Sequence, residues 1–201
     1  MHRMISSTRF STRAAAALAA TLALSGCLGG GKVPAQLLTL TPASTAPAGR
    51  AASGSTESAL AVVDIQAPQK LDVLRVPVMT SGASLAYLKD AQWVEKPAQL
   101  FERLLTDTIR AKGSRLVASN TDLEDTAATR LSGTLSAMDY DAARGEVLVR
   151  YDAVLTTPDH KILSRRFEST VAGVTAKPVP VAEAMNRAAN DVAAQVADWV
   201  G

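Results

Sequence analysis

Val147-Leu148-Val149-Arg150-Tyr151-Asp152-Ala153-Val154-Leu155-Thr156 decides the class of fold. Val147, Val149, Tyr151, Ala153 and Leu155 fall on one side of an extended chain. Leu148, Arg150, Asp152, Val154 and Thr156 fall on the other, which is the period of a strand with one side on a core. Upstream, Leu131, Gly133 and Leu135 alternate with polar positions; downstream, Leu163, Phe167 and Val171 line a further segment. Asp141 to Gly145 and Pro158-Asp159-His160-Lys161 have the composition of hairpin connections. Together these runs read as a three-stranded antiparallel meander with one partly solvated face.

Two helices flank this pattern. Pro97 suits a first helical turn, where its missing N–H is no loss. Leu100, Phe101, Leu104, Leu105 and Ile109 then form one apolar stripe, and Gly113 marks the stop. After Pro180, Val181, Met185, Ala188, Val192, Val196 and Trp199 recur at three- and four-residue spacing, with Ala184, Ala189 and Ala193 widening the stripe. Ahead of the first helix, Ala59 to Ile65 reads as a buried strand. Leu71 to Met79 reads as a second, which Pro77 places at an edge or bulge. Leu85 to Leu88 gives a short third, Ser114 to Ala118 another short strand, and Asn120 to Asp125 an acidic loop. The expected class is α+β: a two-layer domain over residues 59–201, a mostly antiparallel sheet with two helices packed on one face.

Residues 27–58 read as a tether, rich in Gly, Ala, Ser, Thr and Pro, unable to bury enough apolar surface to offset its ordering entropy. Within it, residues 36–40, Gln36-Leu37-Leu38-Thr39-Leu40, are apolar enough to dock as a short edge strand. Some thirty residues of coil reach about 30 Å r.m.s., which would let the domain sit well off whatever anchors it.

The anchor is legible further upstream. Arg3, Arg9 and Arg13 precede an apolar run from Ala14 to Leu24, with no acidic residue before Cys27. Eleven helical residues cover about 16 Å, half a bilayer core, so the run is a signal h-region rather than a span. Leu24, Ser25 and Gly26 lead into Cys27, the only cysteine. This arrangement resembles the bacterial lipoprotein signal, the lipobox, which implies cleavage of residues 1–26 and acylation of Cys27. Ordinary secretion, with cleavage after Ser25, is the alternative. Leu28 stands where aspartate resembles an inner-membrane retention signal, so the expected address is the periplasmic face of the outer membrane.

Removing 26 of 201 residues leaves 175, and the three leader arginines leave 18 basic against 19 acidic side chains. That balance gives no basic face for nucleic acid. Catalytic chemistry finds little to work with. His160 is the only histidine after the leader, falls in a hairpin turn and has no second histidine or cysteine to share a metal. Asp122, Glu124 and Asp125 lack the spacing of a calcium loop. Gly29-Gly30-Gly31 follows no strand and carries no Walker lysine. No enzyme activity, cofactor or metal is expected. Trp93 and Trp199 are read either as core or as interface anchors.

One further resemblance rests on the order of motifs. Leu71-Asp72-Val73-Leu74-Arg75-Val76-Pro77-Val78 precedes Leu85-Ala86-Tyr87-Leu88-Lys89-Asp90-Ala91-Gln92-Trp93, then Pro97-Ala98-Gln99-Leu100-Phe101-Glu102-Arg103-Leu104-Leu105. Behind a lipobox, this series resembles the auxiliary lipoproteins of ABC-type transport systems, including that of the paraquat-inducible intermembrane system. Leu131-Ser132-Gly133-Thr134-Leu135 and Val149-Arg150-Tyr151-Asp152-Ala153 extend the resemblance. It implies a non-enzymatic outer-membrane lipoprotein working with an MCE-type periplasmic protein, a permease and an ATPase in lipid transport. It also implies a ring-like homo-oligomer. Leu38, Leu40, Tyr87, Trp93 and Arg150 are the candidate partner-interface residues. An outer-membrane assembly or cell-wall-synthase activator lipoprotein would share the tether and the small α+β domain.

Overall fold

The computed structural model describes residues 36–49, 51–113, 115–118 and 126–201. The meander is present as β5 (Thr129–Asp141), β6 (Glu146–Thr156) and β7 (Ile162–Val171), paired antiparallel in sequence order. In β6 every residue on the Val147–Leu155 side is buried and every residue on the other side is partly exposed, as the alternation requires. The acidic loop 120–125 lies outside the described residues.

β5 departs from simple alternation at one point, and the departure shapes the core. Leu135 faces Tyr151, but Ala137, not Ser136, faces Arg150. One extra residue in β5 makes a bulge, which swaps the two faces beyond it. Leu131 and Leu135 before the bulge, and Met138 and Tyr140 after it, therefore point into the same core, and all four are buried. A fixed period of two would have sent the second pair to solvent.

β1 (Leu60–Gln66) and β4 (Val117–Ala118) are parallel neighbours, and β1 runs parallel to β5 over Thr129–Thr134. β2 (Arg75–Ser81) starts four residues later than the apolar run beginning at Leu71, which is itself buried ahead of the strand. β2 joins the same edge of β5 further on, at Tyr140 and Asp141. β6 occupies the other edge of β5 along its length, so β1 and β2 share one edge end to end. β3 (Ser84–Gln92) closes a hairpin with β2 and is five residues longer than Leu85–Leu88 alone. The seven-stranded sheet is thus mixed: the meander and hairpin supply the antiparallel ladders, and β1, β2 and β4 join in parallel.

α1 (Pro97–Lys112) begins with proline at N1 and ends at Gly113, whose backbone is extended rather than left-handed. Leu100, Phe101, Leu104, Leu105 and Ile109 are all buried. α2 (Pro178–Val200) starts two residues before the expected Pro180. Both prolines fit because the first-turn N–H groups have no intrahelical partner; the first such bond runs from the Val181 N–H to the Lys177 carbonyl at 3.1 Å. The alanines of α2 are buried at 184, 188, 189, 193 and 197, where small side chains let the helix approach β6, β7 and α1 closely. Phe101 tilts against Tyr151 at 5.2 Å and Phe167 against Trp199 at 5.5 Å, tying each helix to the meander. Tyr151 donates to the Ser132 carbonyl at 2.7 Å, and burial, with a smaller effect of the Glu102 charge, pushes its phenol pKa far up.

The helix-covered side of the sheet and its open side should differ sharply under mutation. Leu104 is 2% exposed within the main core, so Leu104→Ala is expected to cost about 2–5 kcal/mol through lost burial and the cavity left behind. Arg150 lies on the opposite face, paired with Glu168 at 2.8 Å across the β6–β7 ladder with both side chains partly in solvent. Such a pair contributes little, and Arg150→Ala is expected to change stability by less than about 0.5–1 kcal/mol. Paired thermal melts check this: an Arg150→Ala melt below that of Leu104→Ala would invert the two faces.

Candidate interaction surface

Cys27 and the lipobox residues Leu24, Ser25 and Gly26 lie outside the described residues, as do Asp122, Glu124 and Asp125. His160 is exposed in the β6–β7 turn with a positive φ of 61°. Among the described residues no group of three His, Cys, Asp or Glu side chains could hold a metal, and no helix is long and apolar enough to cross a membrane.

Leu38 and Trp93 meet in a single parallel bridge. The Leu38 N–H donates to the Gln92 carbonyl at 2.7 Å, and the Val94 N–H donates to the Leu38 carbonyl at 2.8 Å. On its other side the Trp93 backbone N–H donates to the Leu74 carbonyl at 2.7 Å. Held between two backbones, the indole turns inward and is 0% exposed, and Leu40 is 9% exposed. This corrects two of the interface candidates: Trp93 and Leu40 are core residues with almost no surface to offer a partner. Trp199, half-buried against Phe167, closes the rim of the core.

Tyr87 and Arg150 do keep surface, on different parts of the molecule. Tyr87 sits in the β2–β3 hairpin, with the Arg75 guanidinium 3.8 Å from its ring centroid, a cation–π contact that stiffens both groups. Register places Pro77 opposite Tyr87 and Met79 opposite Leu85 on one face of the hairpin. From Thr80 to Ala86 every residue is exposed, Leu85 at 42%. The hairpin therefore ends in an arm packed on neither face, and among the described residues the outer edge of β3 pairs only through Leu38. Unpaired strand edges with apolar side chains are sites where extended chains add. Sequence reading named Tyr87 but not Met79 or Leu85; the missing signal was the hairpin register, which juxtaposes them.

Arg150 belongs to the uncovered face of the meander. There Arg150–Glu168 and Arg166–Asp152, at 2.8 and 2.6 Å, run as neighbouring pairs of opposite polarity. The Arg166 hydrogen bond holds the Asp152 carboxyl below the usual carboxylate range. An open depression of about 390 Å³ beside them is lined by Asp152, Val154, Ser164, Arg165 and Arg166.

Asp139 shares the face of Arg150 because of the β5 bulge, yet it is only 6% exposed. Lys70, from the β1–β2 connection, covers it and pairs with its Oδ2, while Oδ1 has no partner among the described residues. Burial outweighs the Lys70 hydrogen bond and charge and raises the carboxyl pKa. A carboxyl with a higher pKa folded than unfolded binds its proton more readily in the folded state. Its contribution is greatest below the unfolded pKa and declines as pH rises through the folded one. Asp139→Asn should abolish that decline, so the variant's melting temperature should gain on wild type between about pH 4 and neutrality. Parallel melting curves across that range would show that Lys70 fully offsets the burial.

The geometry defines a class first: an α+β domain with helices on one sheet face, an open charged face and a protruding hairpin arm. Residues 38–197 match the model of the family described as the ABC-type transport auxiliary lipoprotein component, and the chain belongs to that family. Membership implies lipid-anchored association with a membrane and a part in ABC-type transport. Among solved structures, a crystal structure of an uncharacterized protein is similar at 13% identity and TM-score 0.63, covering 83% of this chain and 100% of that one. A Xanthomonas campestris protein of the DUF330 family is similar at 18% identity and TM-score 0.62, covering 83% and 92%. At these identities the likeness concerns the fold alone. A search of curated protein sequences returned no significant match.

Proposed function

We propose that this chain is a non-enzymatic outer-membrane lipoprotein, anchored through Cys27, that docks or organises the periplasmic conduit of an MCE-associated ABC lipid-transport system. The observation that carries the reading is the family match over residues 38–197, which begins eleven residues after the lipobox cysteine. The domain's part is positional. It holds a partner chain at the membrane while an ATPase elsewhere supplies the energy, and the exposed β2–β3 arm with Tyr87 and Leu85 is the surface on which an MCE-type periplasmic protein is gripped. Several copies assemble as a homo-oligomer around the conduit.

Cys27→Ala is expected to move the protein from the membrane to the soluble periplasmic fraction, because the lipid on Cys27 is the proposed anchor and no helix among the described residues is long and apolar enough to cross a membrane. Mass spectrometry of the mature wild-type protein should find acylated Cys27 at the N-terminus. An unmodified N-terminus at Gly26 would sink the anchor assignment.

A further inference from the structure

Two asparagines stand out in α2, a helix otherwise built largely of alanine and valine. Asn186 and Asn190 are one turn apart on the same helix face, and asparagine is a poor choice for a helix interior unless its amide has other work. Here it does. The Thr41 N–H donates to Asn186 Oδ1 at 2.8 Å, and the Ala43 N–H donates to Asn190 Oδ1 at 2.7 Å. Asn190 Nδ2 donates in turn to the Thr41 carbonyl at 2.9 Å, and to the Asn186 carbonyl at 2.8 Å. The spacings match: four residues of helix rise about 6 Å, and two residues of extended chain advance about 6.6 Å. The pair is therefore a clip that reads extended backbone. Just upstream, Leu40 is buried and Leu38 is bridged to Trp93, so Leu38, Leu40, Thr41 and Ala43 are all held.

We infer that residues 38–43 are a strap fixed on the domain by Asn186 and Asn190, so that only residues 28–37 link the lipid to the folded body, with the Leu37–Val94 side of the domain facing the lipid surface. This rests on the reading that Cys27 is acylated. The consequence is one of distance. From Cys27 to Leu38 the chain spans at most about 40 Å, whereas a tether free to Ser58 would span at most about 110 Å. Leu37 and Val94, each 46% exposed, flank the point where the strap enters. Around them Lys96 is paired with Asp72 and Arg103 with Glu95. That side therefore carries balanced charge, and chain length rather than basic attraction brings it to the membrane.

Insertions of ten Gly/Ser residues at two positions test this in the full-length lipidated protein, reconstituted in liposomes with an acceptor dye on the lipid headgroups. A donor dye is placed on Ala143→Cys, in the exposed β5–β6 turn; Cys27 does not compete because its sulfur carries the diacylglyceryl group as a thioether. An insertion after Gly31 adds up to about 35 Å of chain between lipid and strap and should lower energy transfer. The same insertion after Ala48, beyond the strap, should leave transfer unchanged. In a background carrying Leu40→Asp with Asn186→Ala and Asn190→Ala, the insertion after Ala48 should lower transfer as well. Equal effects of the two insertions in the wild-type background would overturn the strap. Amide exchange separates this from a failure of the anchor: Thr41 and Ala43 should be protected in the wild-type chain whether or not it is lipidated, and fast exchange there overturns the strap independently of Cys27.

Discussion

Gly133→Ala is expected to cost the domain about 3 kcal/mol or more and to leave little folded protein. Gly133 sits in β5 opposite Ala153 and Ile65, with a φ of +151° that side chains with a Cβ rarely adopt. A Cβ built there would lie 2.2 Å from the Asp152 carbonyl oxygen, 2.9 Å from the Tyr151 hydroxyl and 3.0 Å from the Ala153 Cα. Two of these neighbours are backbone, so relief requires β6 to move away from β5. Strained backbone costs about 1–3 kcal/mol, and overpacking a tight site costs about 1–3 kcal/mol more. The movement would also break the hydrogen bond from Tyr151 to the Ser132 carbonyl, leaving a buried hydroxyl unpaired. Against a total stability of about 5–15 kcal/mol, this is a large fraction. The check is denaturant unfolding of the unlipidated chain beginning at Gln36. A midpoint within experimental error of wild type would mean that the strands separate easily here and that the nearby β5 bulge absorbs the side chain.

Trp93→Ala is expected to have the next largest effect, about 3–5 kcal/mol. Its ring is among the largest fully buried side chains, and its backbone joins the Leu38 segment to the strand end at Leu74. The same ring hides an indole N–H with no hydrogen-bond partner among the described residues, a desolvation cost of about 1–3 kcal/mol. Trp93→Phe should therefore be far milder than Trp93→Ala, since it retains most of the apolar contact and removes the unpaired donor. Thermal melts of the two variants decide between core and interface roles. A Trp93→Ala protein that melts like wild type but no longer supports transport would return Trp93 to the partner surface.

What the sequence conveyed, and what it did not, follows from how local each constraint is. The meander was legible because β6 buries one side and wets the other over eleven residues, and the α1 stripe because Leu100 to Ile109 repeat with the helix. The parallel joins of β1 to β5 and of β2 to β5 link segments more than sixty residues apart, and no local pattern encodes them. The β5 bulge hid Asp139, since plain alternation puts it on the core side while the extra residue at Ser136 puts it under Lys70. Trp93 was ambiguous because its burial depends on Leu38 docking from fifty-five residues upstream. The same docking turned part of an Ala/Ser/Thr/Pro-rich tether into a held strap: composition reported a solvated segment, but the partners that order Thr41 and Ala43 lie on α2, about 145 residues away.

The central claim is that this domain is a membrane-anchored docking part for an ABC-type conduit, with the β2–β3 arm as its grip. Site-specific photo-crosslinking in whole cells tests it most directly, with the crosslinker placed at Leu85, an exposed arm residue outside the core, and a matched control at exposed Asp159 in the β6–β7 turn. The account predicts that Leu85 captures an MCE-type periplasmic protein encoded with a permease and an ATPase, and that Asp159 does not. Capture at Leu85 of peptidoglycan synthases or β-barrel assembly proteins alone, or of the MCE-type protein equally from both positions, would contradict it.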